Sequence, residues 1–499
     1  MTEGRREVRT LTNTEFKPRH VQLFIGGKWV DALDGKTFQQ VSPATGDVLG
    51  FVAEASREDA RSAITAASKA RRYMAGLTVF ERAGLCERIA DEIVSSRPLL
   101  APELSIEQGK PLHEARDEIN FAAQLFRDAA EYISKLETSV LPSAAGKRIF
   151  TLRQPHGVVG VLTPWNYPIG IPSEYLSASL AAGNVVVWKP APTTSMIAAR
   201  LLECLLKAGL PEGAVNLLHG GSEPGEEIVV NPGTQAVGFT GSTLTGTLIA
   251  KHAGAKPLLL ELGGNGPTII LDDANLEAAI SGTAIGCFTN AGQICQSSER
   301  ILLTEHVHDQ VMDGLVASAS RVKLGHPLHD GTTMGPLNNQ GVATKMDSHI
   351  RDAVDHGAVV VFGGSRAAGR PTDLYYQPTI VDRVSRDSLA NREETFGPIA
   401  PLIVVRDIDD AIAVANSCTL GLCASVYTSD MNAAFRCAEG LECGVVNVNE
   451  SAAYWDGRTP FGGWSGKGSG VGRLGGLESI RFMTQIKSVV LDINNPHGD

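Results

Sequence analysis

The 499-residue sequence contains no run of 18 apolar residues, so it predicts no membrane-spanning helix and no membrane partner. It has no cationic excess either. Lys and Arg number 44 against 55 Asp and Glu, a net charge of −11, which argues against a nucleic-acid ligand. Its eight cysteines include no Cys-x-x-Cys pair and are spread through a long chain, so reduced thiols are expected rather than a disulfide framework. The close histidine pairs, His306 with His308 and His326 with His329, lack Cys or carboxylates at zinc-like spacing, and no metal site is expected. The N-terminal stretch has no apolar core of a secretory signal, so a cytoplasmic location is the default expectation. Residues 1–20 are polar and are expected to be poorly ordered.

What is present reads as a soluble α/β protein. A chain of 499 residues exceeds one comfortable core and predicts two or three domains. Leu23-Phe24-Ile25 and Lys28-Trp29-Val30 flank Gly26-Gly27 as a hairpin, and the turn Ser42–Gly46 is read as preceding a second short strand pair. From Ser56 to about Lys135 the pattern is helical, with amphipathic runs Arg57–Arg72 and Thr78–Ser96, and Gly109 followed by Pro111 marks a helix end. These helices read as scaffold. From Gly157 short apolar strands alternate with helices: strands at 158–162, 184–189, 215–218, 236–240 and 258–260, helices at 171–182, 193–208, 224–230 and 244–252. That rhythm predicts a parallel sheet covered on both faces, with ligands beyond the carboxyl ends of its strands. Residues 265–455 repeat the alternation through strands at 268–271, 301–303, 359–362, 401–405 and 445–448. The tail 485–493 is a strand needing an edge partner, which 137–155 is expected to supply.

The chain is organised around Glu261 to Cys295. A thiolate is a strong nucleophile, and a carboxylate held near it activates water to release what the sulfur captures. Cys295 follows Gly292-Gln293-Ile294 rather than lying in an apolar run, which favours a positioned side chain over a buried hydrophobe. Two glycine patterns are decoys. Gly470 to Gly475 fits GxGxxG but follows a glycine-rich loop instead of a strand. Gly241 and Gly246 have phosphate-loop spacing, yet Thr247-Leu248 replaces the required Lys-Ser/Thr. Ser242 lies where a strand turns into a helix, and it reads equally as an ordinary N-cap or as a phosphate contact.

Glu261-Leu262-Gly263-Gly264-Asn265 and Phe288 through Cys295, with their separation, resemble the two active-site signatures of the aldehyde dehydrogenase superfamily. Further motifs fall in order: Pro164-Trp165-Asn166, Lys189-Pro190, Phe239-Thr240-Gly241-Ser242, Glu393-Glu394-Thr395-Phe396-Gly397-Pro398 and Pro460-Phe461-Gly462-Gly463. The resemblance covers roughly residues 20–490. It implies an α/β fold with a parallel-sheet NAD(P)-binding domain (1–136 and 156–263), an α/β catalytic domain (264–478) and a β-arm for oligomerisation (137–155 and 479–499). By resemblance Cys295 attacks the aldehyde, Asn166 and the Cys295 N–H hold the oxyanion, and Glu261 activates water for hydrolysis of the thioester. Trp165, Lys189, Ser242, Glu394 and Phe396 are implied on the cofactor side. Ile171, Glu174, Tyr175, Ile294, Gln296, Tyr454, Trp455 and Phe461 are implied around the substrate. The resemblance also implies NAD or NADP as cofactor, a small-molecule aldehyde as substrate, and a homodimer or homotetramer as the assembly.

Three departures accompany the resemblance. Pro192 stands where an acidic residue commonly binds the ribose hydroxyls, leaving NAD and NADP both open. The linker Trp464–Gly468 is two residues longer than the family's closing motif. Tyr175 and Leu474 replace a Lys and a Glu that many members use as a proton path, so Glu261 is expected to exchange protons by another route. Aromatic walls suit an apolar or aromatic body, while Glu174, Asp456 and Arg458 either contact a polar end or are solvated loop charges, so a semi-polar or aromatic aldehyde is expected. The rival readings are a CoA-acylating member, disfavoured by the presence of Glu261, and a catalytically silent binding relative, disfavoured because Cys295, Glu261 and Asn166 are all kept.

Overall fold

The structure is a computed structural model and describes residues 18–493. The expected disorder of residues 1–17 lies outside the described residues. Arg19 and His20, placed by sequence in the polar stretch 1–20, instead belong to a strand, Arg19–Val21, paired parallel with Val48–Ala53.

Local chemistry starts and stops the first helices. In α1 (Arg57–Gly76) Ser56 and Asp59 form a reciprocal capping box, and in α2 (Val79–Gln108) Thr78 and Glu81 do the same. α2 continues well past Ser96, through Pro98 and Pro102, because Leu100 and Ala101 between them and Leu104 and Ile106 beyond them are buried. It ends at Gly109, whose φ of 108° puts it in the left-handed region. α3 (Leu112–Tyr132) then packs back along α2 and against α4 (Gly170–Ala182).

The first sheet has eight strands, in the order Gly470–Val471, Leu258–Glu261, Ala236–Thr240, Val158–Thr163, Val185–Pro190, Val215–Leu217, Leu23–Ile25 and Lys28–Val30. The five between 158 and 261 run parallel and are almost wholly buried, which is why their sequences are near-continuous apolar runs. α5 (Ser195–Lys207), α6 (Ser222–Val230) and α7 (Thr243–His252) are among the helices that connect them. The glycine-rich decoy near the chain's end supplies Gly470–Val471, an antiparallel edge beside Leu258–Glu261.

A second sheet of seven strands runs Val359–Phe362, Thr379–Asp382, Ile399–Val405, Ser298–Thr304, Gly266–Ile270, Cys423–Tyr427 and Val445–Val448. Thr379–Asp382 and Cys423–Tyr427 escape a reading of the sequence: both are short, and Cys-Ala-Ser-Val-Tyr has small side chains despite complete burial. The Ser42–Gly46 turn lies inside its strand pair, joining Thr37–Val41 to Val48–Ala53, rather than ahead of it.

Thr484–Asp492 pairs antiparallel with Lys147–Pro155, which also pairs with Val140–Leu141. This three-stranded arm exposes Val140 (84%), Ile486 (61%) and Val490 (60%). Among the described residues no helix is long and apolar enough to cross a membrane.

Candidate active site

The parallel strands of the first sheet deliver three motifs to one edge. Glu261 ends its strand, and its register partner on the neighbouring strand is Thr240. Asn166 lies just beyond Val158–Thr163, in a turn fixed by a buried ion pair. Lys110 Nζ lies 2.5 Å from Glu118 Oε2 and donates to the Asn166 carbonyl at 2.8 Å. Glu118 Oε1 in turn accepts the N–H groups of Ile169 and Gly170, at 2.8 and 3.0 Å. The Lys110 ammonium also lies 3.9 Å from the centre of the Tyr167 ring. A charge in so dry a place persists only when its partners are present, so this pair is a register device for the turn.

The cysteine loop is held by glycines and by strain. Asn290 (φ 50°), Ala291 (φ 54°) and Gly292 (φ 71°) follow one another in the left-handed region. For Ala this costs about 1 kcal/mol. The neighbours hold it: Glu114 accepts the Asn290 N–H at 3.0 Å, and Asn290 Nδ2 donates to the carbonyls of Asn166 and Gln293. A Cβ at Gly292 would come within 2.0 Å of the Gly397 carbonyl, and one at Gly264 within 2.0 Å of the Cys295 carbonyl. The second glycine of the Glu261 signature is therefore there so that the cysteine loop can lie against it.

Asn166 Nδ2 donates to the Gln293 carbonyl at 3.0 Å. A side-chain amide has two N–H donors, so one remains for a ligand. The Cys295 backbone N–H has no partner among the described residues. Burial pushes the Glu261 carboxyl up to about 8, against the pull of hydrogen bonds from Cys295 and Thr240. Its Oε1 is buried without a hydrogen bond. Burial and the neighbouring Glu261 charge push the Cys295 thiol well above its ordinary range. Here the sulfur is a thiol beside a carboxyl, and one proton must leave before it can attack.

Two cavities converge on these residues. One, of about 240 Å³, is lined among others by Ile171, Glu174, Ile294, Gln296, Trp455 and Phe461; the other, of about 250 Å³, by Trp165, Ser242, Glu394 and Phe396. Asn166, Glu261 and Cys295 line both.

Two residues expected around the substrate do not reach it. Tyr175 lies across Gly238 on the sheet, its hydroxyl 2.8 Å from Thr240 Oγ1 and its side chain fully buried. Tyr454 is 52% exposed and lines neither cavity. Lys189 does not line the second cavity either. It packs beside Gly225 with Nζ donating to the Pro190 carbonyl, and burial lowers it to about 8. Asp456 and Arg458 pair with each other.

In the second cavity the Trp165 and Phe396 rings meet edge-on, 5.5 Å apart. Glu394 Oε1 accepts the Gly264 N–H at 2.9 Å. Ser242 Oγ accepts the Thr245 N–H at 3.3 Å, so it is the N-cap of α7 as well as part of the cavity wall.

Several contributors were not visible as site residues in the sequence. Lys110 and Glu118 were absorbed into the scaffold helices. Glu299, at the start of a buried strand, accepts the N–H groups of Thr395 and Phe396 and so fixes the loop carrying Glu394. A signal existed in α3: Glu114, Asp117, Glu118 and Phe121 recur at i, i+3, i+4 and i+7, an acidic stripe unlike a scaffold face.

Known proteins carry the same arrangement. The model of the aldehyde dehydrogenase family matches residues 29–489. A mitochondrial succinate-semialdehyde dehydrogenase of Arabidopsis thaliana is 36% identical, over 95% of this chain and 90% of that one. An Escherichia coli succinate-semialdehyde dehydrogenase named for NADP(+) is also 36% identical, over 95% and 98%. Among solved structures, an NAD-dependent aldehyde dehydrogenase from Sinorhizobium meliloti superposes with a TM-score of 0.94 at 34% identity, covering 98% of each chain. Likeness of this extent, over both sheets and the residues between them, makes the chain a member of the aldehyde dehydrogenase family, an enzyme that oxidises an aldehyde with NAD or NADP.

Proposed function

We propose that the chain oxidises its aldehyde to a carboxylic acid through a thioester on Cys295, resolved by water. One observation carries this reading: Cys295, Glu261 and Asn166 form the shared wall between two cavities that otherwise have different linings. A reaction needing an aldehyde on one side and a cofactor on the other has its bond changes at that wall.

The second cavity fits a dinucleotide. It runs from the first turn of α7, where unpaired N–H groups favour phosphate, past the Glu394 carboxylate to the Trp165 and Phe396 rings and the sulfur. Ser242 would lie at the pyrophosphate, and Glu394 would hold ribose hydroxyls. The bound nicotinamide supplies the hydride acceptor.

The chain's own residues do the rest. The Cys295 thiol gives its proton to water in the cavity, the thiolate adds to the carbonyl carbon, and the oxygen takes negative charge within reach of the free Asn166 N–H and the Cys295 backbone N–H. Departure of hydride leaves the acyl group on sulfur. Glu261 in its carboxylate form then takes a proton from water as the oxygen adds to the acyl carbon, and the C–S bond breaks to return the thiol and the acid. With burial holding Glu261 near 8, the base form grows as pH rises through that value.

The first sheet with α1–α7 serves as the cofactor domain, the second as the catalytic domain. The arm, with its exposed Val140, Ile486 and Val490, serves to join copies of the chain. The test is turnover of an aldehyde panel with NAD and NADP in parallel, with and without CoA, following reduced cofactor and acid. Acid formed without CoA is the expected result. Reduced cofactor that appears only with CoA would replace hydrolysis by acyl transfer.

A further inference from the structure

The aldehyde cavity is lined by more carboxyl groups than the reaction uses. α3 lines it with Glu114, Asp117 and Glu118 on one face, and α4 adds Glu174. Among the described residues lining this cavity there is no Lys, Arg or His. Lys110 lies behind it, pairs directly with Glu118, and its charge also acts on Glu114, partly offsetting the effect of burial there. Asp117 is exposed at the mouth. Glu174 turns Oε1 to the Gly475 N–H and the Ser479 hydroxyl, both at 2.8 Å, while its Oε2 is buried with no hydrogen-bond partner. Only 3% of Glu174 is exposed.

Aromatic rings stand beside these carboxylates. Phe121, on the acidic stripe of α3, meets Trp455 at 5.0 Å between centroids, and Trp455 meets Phe461 at 5.1 Å. Ring faces attract a cation, and nearby carboxylates add to that attraction in a partly desolvated space. An anion brought to the same place meets repulsion and finds no cation to pair with. Burial raises both Glu114 and Glu174 to about 7, and a bound positive charge would favour their ionised forms.

We infer that the enzyme selects aldehydes whose distal end carries a positive charge, an ω-ammonium group on an aliphatic chain, and disfavours those ending in a carboxylate. The inference rests on the reading of Cys295 as the centre where the aldehyde is oxidised. Two relatives similar over nearly the whole chain are named for succinate semialdehyde, whose far end is a carboxylate, the class this inference disfavours.

The test compares three probes with the full-length enzyme and saturating cofactor: 4-(trimethylammonio)butanal, its uncharged isostere 5,5-dimethylhexanal, and 4-oxobutanoate. The expected order of kcat/KM is ammonium, isostere, carboxylate, with the first ahead of the second by about tenfold. The expected effect of Asp117→Asn is a fall in the ammonium-to-isostere ratio by about threefold, and of added salt a fall in the same direction. An isostere as good as the ammonium aldehyde, or 4-oxobutanoate as the best of the three, would overturn the inference while reduced cofactor still reports a dehydrogenase. Turnover retained in Cys295→Ala would instead remove the reading on which it rests, and the inference with it.

Discussion

The two cavities that meet at Cys295 are built by different means. The cofactor side is made of turns and loop backbone: the α7 start, the Gly263-Gly264 approach, and a loop held from below by Glu299. The aldehyde side is made of side chains on helix faces, with α3 and α4 supplying charge and shape, and Trp455 and Phe461 closing it. Backbone geometry needs particular residues, above all Gly at close approaches, so it leaves motifs in a sequence. A helix face accepts many side chains, so it can change charge while the fold stays the same. On this ground a shared frame does not by itself fix the substrate.

The strongest way to break this comparison is to remove the point both cavities share. In Cys295→Ala no sulfur can form the thioester, and aldehyde oxidation should fall by about 10⁴-fold or more. Cofactor binding, followed by protein fluorescence, should persist, because Ala removes nothing the second cavity uses for the dinucleotide. Loss of both would mean that the sulfur also organises the cofactor side.

Glu261→Gln divides the reaction in time instead of in space. The first turnover should still release a burst of reduced cofactor, while the steady rate falls by about 10²–10³-fold. The pH dependence follows from the raised carboxyl. A base works in its ionised form, so the wild-type steady rate should rise with pH through a midpoint near 8 and level off only above it, and the variant should lose that limb. Equal loss of burst and steady rate would place the carboxylate earlier, as the group that takes the Cys295 proton.

A smaller, one-sided change comes from Glu299→Gln. The carboxylate accepts two backbone N–H groups, from Thr395 and Phe396, and holds Phe396 at φ 62°. An amide offers one oxygen in place of two, so the loop carrying Glu394 and Phe396 loosens. The KM for cofactor should rise about tenfold while that for aldehyde stays within about twofold. Initial rates with both substrates varied will show this. A matching rise in the aldehyde KM would mean that the two sides are not independently built.

How much of this was legible follows the same division. Cys295, Glu261 and Asn166 line both cavities and Trp165 and Glu394 the second; Trp165, Asn166 and Glu261 come from strand ends and Cys295 and Glu394 from helix-to-strand loops, tight backbone that leaves motifs in a sequence. The parallel strands were legible because burial on both faces leaves unbroken apolar runs. Cys423–Tyr427 was missed because its first three residues, Cys-Ala-Ser, are small and fit a loop as well as a strand, which leaves too short an apolar run to read. Tyr175 was misplaced because spacing along α4 gives its helix but not its direction, and Gly238 leaves room for its ring on the sheet side. Lys110 and Glu118 are far from the motifs in sequence and join them only through α2–α3 packing.

Tyr175 offers the finest test. Its hydroxyl is 2.8 Å from Thr240 Oγ1, and Thr240 is the register neighbour of Glu261. An ionised carboxylate only accepts. If the single Thr240 proton is given to Glu261, Tyr175 must be the donor to Thr240, and the order of the string is fixed. The hydrogen bond from Thr240 opposes the burial that raises Glu261. In Tyr175→Phe the Thr240 hydroxyl loses its donor and is free to turn away, so Glu261 should be raised further and the rising limb should move to higher pH. At pH 7 the steady rate should drop by about two- to fivefold with the burst unchanged, and stability should fall by about 1 kcal/mol for the lost buried hydrogen bond. A limb that does not move while stability falls would leave Tyr175 as packing against Gly238, and the proton of Glu261 would then leave through the cofactor cavity that it also lines.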